Sequence, residues 1–472
     1  MNEVPGKRPR HPIGFGAVLL ALAAMLAGSL PAFAVPVFAR KYKTSCQTCH
    51  VGFPKLNAFG EAFRLNGYRF PNETEAQVKV PQTSLGSDAY KRMWPKMIYP
   101  SDIPGNVPLA MNIKMASIYL SSVDDTGRTV VKNDFQFPQE VNLFSAGTMG
   151  DHMSFFGEMT WAQDAGETGT EIEHAELHFN SPFGPEHMVN FKIGKFAPDL
   201  ADGFQEMWIS TDNAIDTLFS YNPIGVAGGT GLSEDMGGIS LPMMVEGIEM
   251  YGVAHHRFFY TAGITNGLGP GDGTADGNAS KDFYARADYK FGGMGLDGDT
   301  TGVNLPPQNW RERSLRVGIL GYQGNGKGID FPVDSGMGMM ADEMPANLQD
   351  RTFSRAGLYA SWWFDDLNVF GVAMNGRDTI DAFADDGSLL SRNEPTYDTW
   401  FVQADYVITP VFQTSLRYES LKPGDRSVDS LRFLNASFSY FAYANVKGML
   451  EYRRDLNESK NYQLSTVLRY AF

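Results

Sequence analysis

Cysteine is the scarcest residue of this 472-residue chain, which has two. Two thiols cannot build a disulfide scaffold, a ferredoxin iron–sulfur cluster or a four-thiolate zinc module, so whatever they do is local. Basic residues are also in deficit: 39 Lys and Arg stand against 54 Asp and Glu, for a net charge of −15. A nucleic-acid binder needs a basic surface for phosphate, and this chain lacks one. Beyond residue 34 no run of 18 uninterrupted apolar residues occurs, which excludes a bundle of membrane-spanning helices. What is abundant is glycine, 50 residues, together with 13% aromatic residues. That profile suits an outer-membrane barrel or a secreted β-protein. At ~150 residues per domain the length allows three ordinary domains, or one large barrel.

The first residues read as an export signal. Lys7, Arg8 and Arg10 precede an apolar stretch from Ile13 to Leu30, and Ala32-Phe33-Ala34 offers small residues at the positions a signal peptidase recognises. Residues 1–34 are therefore expected to be a signal peptide cut after Ala34; the alternative is an uncleaved anchor helix.

Both cysteines fall in Cys46-Gln47-Thr48-Cys49-His50. This C-x-x-C-H spacing lets two thiols add to the two vinyl groups of haem while the adjacent imidazole becomes an axial ligand of the iron. One covalent haem c on Cys46 and Cys49, with His50 as proximal ligand, is the reading. A thioredoxin-like redox pair or a short-loop disulfide remains open, although neither needs a histidine there, and so does a metal other than haem. Pro54 is placed as the first residue of a helix in which Leu56, Phe59, Ala62 and Phe63 recur, ended by Asn66-Gly67. Prolines at 71, 81, 95, 100, 104 and 108 then keep the chain extended, so no further cytochrome helix is expected. One helix and about twenty neighbours cannot enclose a porphyrin, since segments below ~40 residues seldom fold unaided. Residues 35–108 form a haem-bearing plug and connector that needs a container.

Residues 109–472 supply one, as a mostly β outer-membrane antiparallel barrel of about 16 strands. The expected strands are 109–121, 138–145, 153–162, 171–180, 188–196, 244–254, 257–266, 282–291, 314–323, 351–363, 367–375, 397–408, 411–421, 429–440, 443–453 and 461–472. In the last, Tyr462, Leu464, Leu468, Tyr470 and Phe472 alternate with Gln463, Ser465 and Arg469. In 171–180, Ala175, Leu177 and Phe179 oppose His174, Glu176 and His178; in 283–289, Arg286 and Asp288 share a face that hydrocarbon would not tolerate. Apolar positions are assigned to lipid and polar ones to the lumen. Long connections (122–137, 197–243, 267–281, 324–350, 376–396) alternate with short ones, as outer loops and periplasmic turns do, with both termini periplasmic. The segment 292–313 is too long for its place, and 197–243 fits either an inward fold or an outer loop. A soluble β-sandwich or propeller is the competing architecture.

The run Val35-Pro36-Val37-Phe38-Ala39-Arg40, the C-x-x-C-H motif, Phe53-Pro54-x-Leu56-x-x-Phe59-Gly60 and Asn66-Gly67-Tyr68, followed by a porin-sized β region, resembles the monohaem cytochrome c–porin fusions, whose best-known members are outer-membrane iron oxidases. The resemblance implies a sixteen-stranded barrel of a Gram-negative outer membrane, plugged by its haem segment. It also implies electron flow from extracellular Fe(II) to a periplasmic cytochrome. The alternatives are a porin-like channel with a structural or sensory haem, and a conduit for another donor.

The distal haem ligand decides the potential, because methionine raises it and a second histidine lowers it. Candidates are Met93, Met97, Met111, Met115, His174 and His178, each weighed against ordinary packing or a hydrated lumen position. His152, His187, His255 and His256 fall in predicted turns. Asp272, Asp276, Asn278 and Asp282 crowd one loop without the full calcium-loop order, so a solvated acidic loop is expected. Met337, Met339, Met340 and Met344 read as a flexible loop in preference to a copper cluster. A peroxidase would need a distal His and Arg near Cys46, and none is present.

Overall fold

Period-two alternation dominates the chain, and the computed structural model turns it into a closed wall. It describes residues 37–71, 92, 108–124, 126–149, 152–164, 167–200, 209–219, 241–266, 280–331, 347–383 and 388–472. The expected signal peptide 1–34, the residues 72–91 and 93–107 of the connector, and the loops 267–279 and 332–346 lie outside the described residues.

Two small strands come first, β1 (His50–Gly52) and β2 (Lys55–Leu56). The wall follows: β3 (Leu109–Val123), β4 (Thr129–Thr148), β5 (Met153–Asp164), β6 (Glu167–Asn180), β7 (Asn190–Phe196), β8 (Val245–Ala254), β9 (Phe258–Asn266) and β10 (Lys281–Gly292). It continues with β11 (Glu312–Phe331), β12 (Asn347–Asp365), β13 (Leu367–Phe383), β14 (Leu389–Asn393), β15 (Thr396–Thr409), β16 (Phe412–Pro423), β17 (Leu431–Tyr443), β18 (Val446–Asp455) and β19 (Tyr462–Ala471). Consecutive strands pair antiparallel, and β19 returns to β3 with Leu468 opposite Met115. β14 and β15 share one stave: β13 pairs β14 through Ile380–Phe383 and β15 through Leu367–Arg377. Among the described residues the barrel therefore has 16 staves.

Each of the sixteen expected segments lies on a separate stave in the expected order. The differences are in length. β4 begins nine residues before the expected 138, so the supposed long connection 122–137 is mostly ladder closed by a turn at Asp124, whose carboxylate accepts the N–H groups of Thr126 and Arg128. β11 to β13 also run on past the expected limits. Polar side chains there obscure the alternation of apolar outer and polar inner positions that holds elsewhere on the wall.

Outside, Ile264, Ile319, Leu358, Trp362, Trp400 and Leu416 are among a belt of exposed apolar side chains. Such a belt on a closed sheet suits lipid, where every backbone group must already be paired. Inside, Arg286 and Arg316 meet Asp288, Arg355 meets Asp378, and Arg417 meets Glu419. The lumen is not uniformly polar, which corrects the simple inside–outside rule. Tyr322, Phe353, Tyr359, Phe370 and Phe401 point inward and pack on Leu200, Ile209, Ile215, Leu218, Phe219 and Leu241. The last six belong to the long connection 197–244, so its described parts fold into the barrel.

The N-terminal segment fills the turn-bearing half of the lumen. It holds α1 (Val37–Tyr42), the hairpin β1–β2 and α2 (Ala58–Leu65). Two expectations are corrected here. A second helix, α1, is present, too short for its periodicity to be legible; and Pro54 lies in the hairpin turn, while Asn57 caps α2 by accepting the Gly60 N–H at 2.8 Å. The Asn66-Gly67 stop is as expected: Tyr68 N–H bonds Phe63 O, Gly67 N–H bonds Arg64 O, and Gly67 has φ +64°. That is a Schellman closure, with Phe63 and Tyr68 in ring contact at 6.2 Å. The anomalous segment 293–311 is explained by the same plug: Leu296 packs with Leu65, and Gly298 lies against Pro71.

Candidate functional site

The site begins with a short 3₁₀ turn, Cys46–Thr48, capped by Ser45, whose Oγ accepts the Gln47 N–H at 3.2 Å. The Cys49 N–H returns to Cys46 O at 3.1 Å, which brings the two thiols to one side of a tight loop. Asn57 locks that loop: its N–H donates to Cys49 O at 2.9 Å and its Nδ2 to Thr48 O at 3.0 Å. Gly60 lies so near that an added Cβ would stand 2.0 Å from Cys49 O. Neither residue carries chemistry: Asn57 was not singled out in the sequence, and Gly60 entered only as part of the resemblance, without a role.

Cys46 and Cys49 are free and partly buried. Burial raises both thiols, that of Cys49 to about 12, with the neighbouring Cys46 adding to the effect. His50 is shaped for coordination. Its Nδ1 lies 2.8 Å from Pro54 O, so Nδ1 carries the proton and the lone pair is left on Nε2. Burial lowers its pKa, which outweighs the carbonyl contacts and keeps the ring neutral.

All three residues line one cavity of about 590 Å³, within the usual range for a bound cofactor. Its apolar lining includes Val37, Phe38, Phe63, Phe70, Phe144 and Phe156. Phe38 stacks on Tyr68 at 5.2 Å and Tyr42 on Phe70 at 4.1 Å. Its lining also includes Glu158, Glu171, Glu173 and His174 from β5 and β6, and Met243 and Met244 from the inward connection. Two thiols flanking a tight loop, an imidazole with one nitrogen satisfied by backbone, and an apolar chamber beside them fit a covalently attached haem.

The six distal candidates separate. Met93 and Met97 lie outside the described residues. Met111 borders the cavity along its strand, yet Met111 and Met115 share the outward face of Leu109 and Ile113, opposite the inward Asn112 and Lys114. His174 and His178 both face the lumen, as expected, but only His174 lines the cavity with Cys46, Cys49 and His50. His178 is turned to Glu176, Tyr251 and Tyr68. Met243 and Met244 were not singled out in the sequence, because their place depends on the inward fold of their loop.

Of the acidic loop, only Asp282 is described, and it is no loop residue: it is buried on β10 and accepts the Tyr322 hydroxyl at 2.8 Å. Met337, Met339, Met340 and Met344 lie outside the described residues. Among the described residues no group of three or more His, Cys, Asp or Glu side chains is arranged to hold a metal ion.

No protein-family model matches the sequence, and none of the curated proteins does. Among solved structures the chain is similar to the anion-selective porin from Comamonas acidovorans, at 11% identity over 77% of this chain and 99% of that one, with a TM-score of 0.47. It is similar also to a loop-deleted OmpT, an outer membrane protein of Vibrio cholerae (12%, 77% and 98%, TM-score 0.46). A third is the outer membrane channel DcaP of Acinetobacter baumannii (13%, 77% and 96%, TM-score 0.42).

Proposed function

We propose that this chain is an outer-membrane c-type cytochrome in which a single covalent haem, sheltered by the barrel, carries electrons between an external donor and a periplasmic acceptor. The observation that carries the reading is the enclosure of the C-x-x-C-H loop in the lumen, with both thiols and the His50 ring on one apolar cavity. A haem there supplies one-electron redox chemistry. The protein supplies two thiols for attachment, the Nε2 lone pair of His50, and aromatic walls that exclude water and so tune the potential.

The outward apolar belt supports a place in the outer membrane of a Gram-negative cell. Val37 and Phe472 both belong to the turn-bearing end, which in this reading faces the periplasm. The resemblance to cytochrome–porin fusions makes Fe(II) the donor, giving up one electron and leaving as Fe(III). The acidic net charge of −15 would draw such a cation in, and outer-sphere transfer asks only for close approach. A channel with a merely structural haem is less well supported, since plug and inward loop together occupy a lumen that a sixteen-strand porin leaves open.

The test is to purify the protein from cells competent in haem attachment and mix it with Fe(II) while following the haem absorption bands. Reduction by one electron per chain is expected. Covalent haem should vanish in the Cys46→Ala/Cys49→Ala variant. Wild-type chain without covalent haem overturns the reading; loaded chain that Fe(II) fails to reduce at any pH removes iron and leaves the cytochrome.

A further inference from the structure

We infer that His174 is the second axial ligand of the haem proposed above, so that the iron is held by two imidazoles. The inference rests on the cytochrome reading and follows from the hydrogen bonds along one face of β6. His174, Glu176 and His178 are two residues apart and all point into the lumen. The Glu176 carboxylate accepts from both rings: His174 Nδ1 contacts Oε1, and His178 Nε2 lies 2.8 Å from Oε2. An ionised carboxylate only accepts, so each of those nitrogens carries its proton. His178 Nδ1 is then an acceptor, and the Tyr251 hydroxyl stands 3.3 Å from it.

Both nitrogens of His178 are thereby used, while among the described residues no hydrogen bond engages Nε2 of His174. Glu158 Oε2 is 3.9 Å from that atom, beyond hydrogen-bond reach. His174 is 8% exposed and lines the cavity, with the Phe156 ring edge-on at 5.2 Å. An imidazole pinned through Nδ1 by a carboxylate, offering a bare Nε2 to a chamber, is the arrangement that orients histidine for a metal. His50 has the same form, with the Pro54 carbonyl in place of the carboxylate. Of the rival sulfurs on the cavity, Met111 belongs to the outward face of its strand and Met243 is 43% exposed, and among the described residues none of these, nor Met244, is held by a side-chain hydrogen bond.

The consequence is a potential lower than a histidine–methionine haem would have, which restricts the donors the protein can oxidise. Low-temperature electron paramagnetic resonance and near-infrared magnetic circular dichroism of the full-length, haem-loaded protein distinguish the ligand pairs. The expected wild-type spectrum is low-spin bis-imidazole without the sulfur-to-iron band. His174→Gly should abolish that spectrum, and added imidazole should restore it; His174→Met should move the midpoint potential upward. His178→Ala, equally buried, should keep the bis-imidazole spectrum. A sulfur-ligated or five-coordinate wild type overturns the inference, as does a bis-imidazole spectrum that survives His174→Gly. Haem staining on denaturing gels is read separately: stain without bis-imidazole ligation defeats this inference alone, and loss of stain in the wild type defeats the cytochrome reading.

Discussion

Gly60 shows how closely the C-x-x-C-H loop is fitted to its helix. An alanine there would place its Cβ 2.0 Å from the Cys49 carbonyl, which can move only by shifting the loop that holds both thiols. Overpacking of this kind costs about 1–3 kcal/mol. Gly60→Ala is expected to lower covalent haem loading while the barrel keeps its heat-modifiable migration on gels; full loading would show that the loop adapts. The thiols make a second test. With Cys49 held up to about 12, little thiolate exists at neutral pH, and the thiolate is what alkylates. In folded, haem-free protein, iodoacetamide should modify Cys49 far more slowly than in urea, and the rate should climb about tenfold per pH unit below that value. Equal rates would place the thiol in water. Cys46, Cys49 and His50 stood out in the sequence through one local spacing, and the structure places them on one cavity. Asn57 was not singled out and Gly60 entered without a role, since what they do exists only once the Cys49 carbonyl has come to rest beside them.

At the scale of elements, the plug is tied to the wall by buried charge. Lys55 on β2 reaches Asp405 on β15, donates to Asn368 at 2.6 Å, and sits 4.4 Å from the Phe370 ring centroid. Asp405 also accepts the Ser210 hydroxyl at 2.8 Å, joining plug, wall and inward loop at one carboxylate. From α2, Arg64 meets Asp199 at 2.8 Å, and Glu61 meets Arg316 of β11 at 3.3 Å. Removing one member of a buried pair strands the other and costs about 3–5 kcal/mol. Lys55→Met should therefore expose the N-terminal segment to protease, and Lys55→Met/Asp405→Leu, which leaves no charge stranded, should recover much of the protection. Equal protection in wild type and Lys55→Met would mean that the pair does not hold the plug. The strands that receive these ties were legible because an apolar outer face and a polar inner face demand a strict period of two. The length of β4 and the small β14 were not, because side chains at the start of β4 and along β14 are exposed on both faces and that alternation lapses. α1 escaped notice for another reason: six residues are too few to display a helical period.

For the whole molecule, the decisive feature is the inward fold of the connection between β7 and β8. Sequence left its direction open, and the reason is physical: its fate is decided by partners scattered over the far wall. Arg417, fully buried on β16, donates to Thr211 Oγ1 at 2.7 Å, Asn213 O at 2.8 Å and Ala214 O at 2.6 Å, and pairs with Glu419. Glu451 on β18 accepts the Asp212 and Asn213 N–H groups at 2.6 and 3.0 Å. Lys447 Nζ donates to Ser210 O at 2.9 Å. These bonds hold apolar Ile215, Leu218 and Phe219 against the inward aromatic sector, and Phe219 also borders the cavity of Cys46, Cys49 and His50. A sixteen-strand barrel left unfilled is a water-filled pore. With the loop clamped, planar-bilayer conductance of the wild type should be far below that of an open porin of this strand number. Arg417→Ala strands Glu419 and frees the backbone carbonyls of 213 and 214, at about 3–5 kcal/mol for the broken pair. Its conductance should rise towards that of an open pore, and, on the cytochrome proposal, added water in the cavity should shift the midpoint potential in the same preparation. A wild type that already conducts as an open pore would mean the loop does not close the lumen, and the proposed haem would then sit beside an aqueous channel.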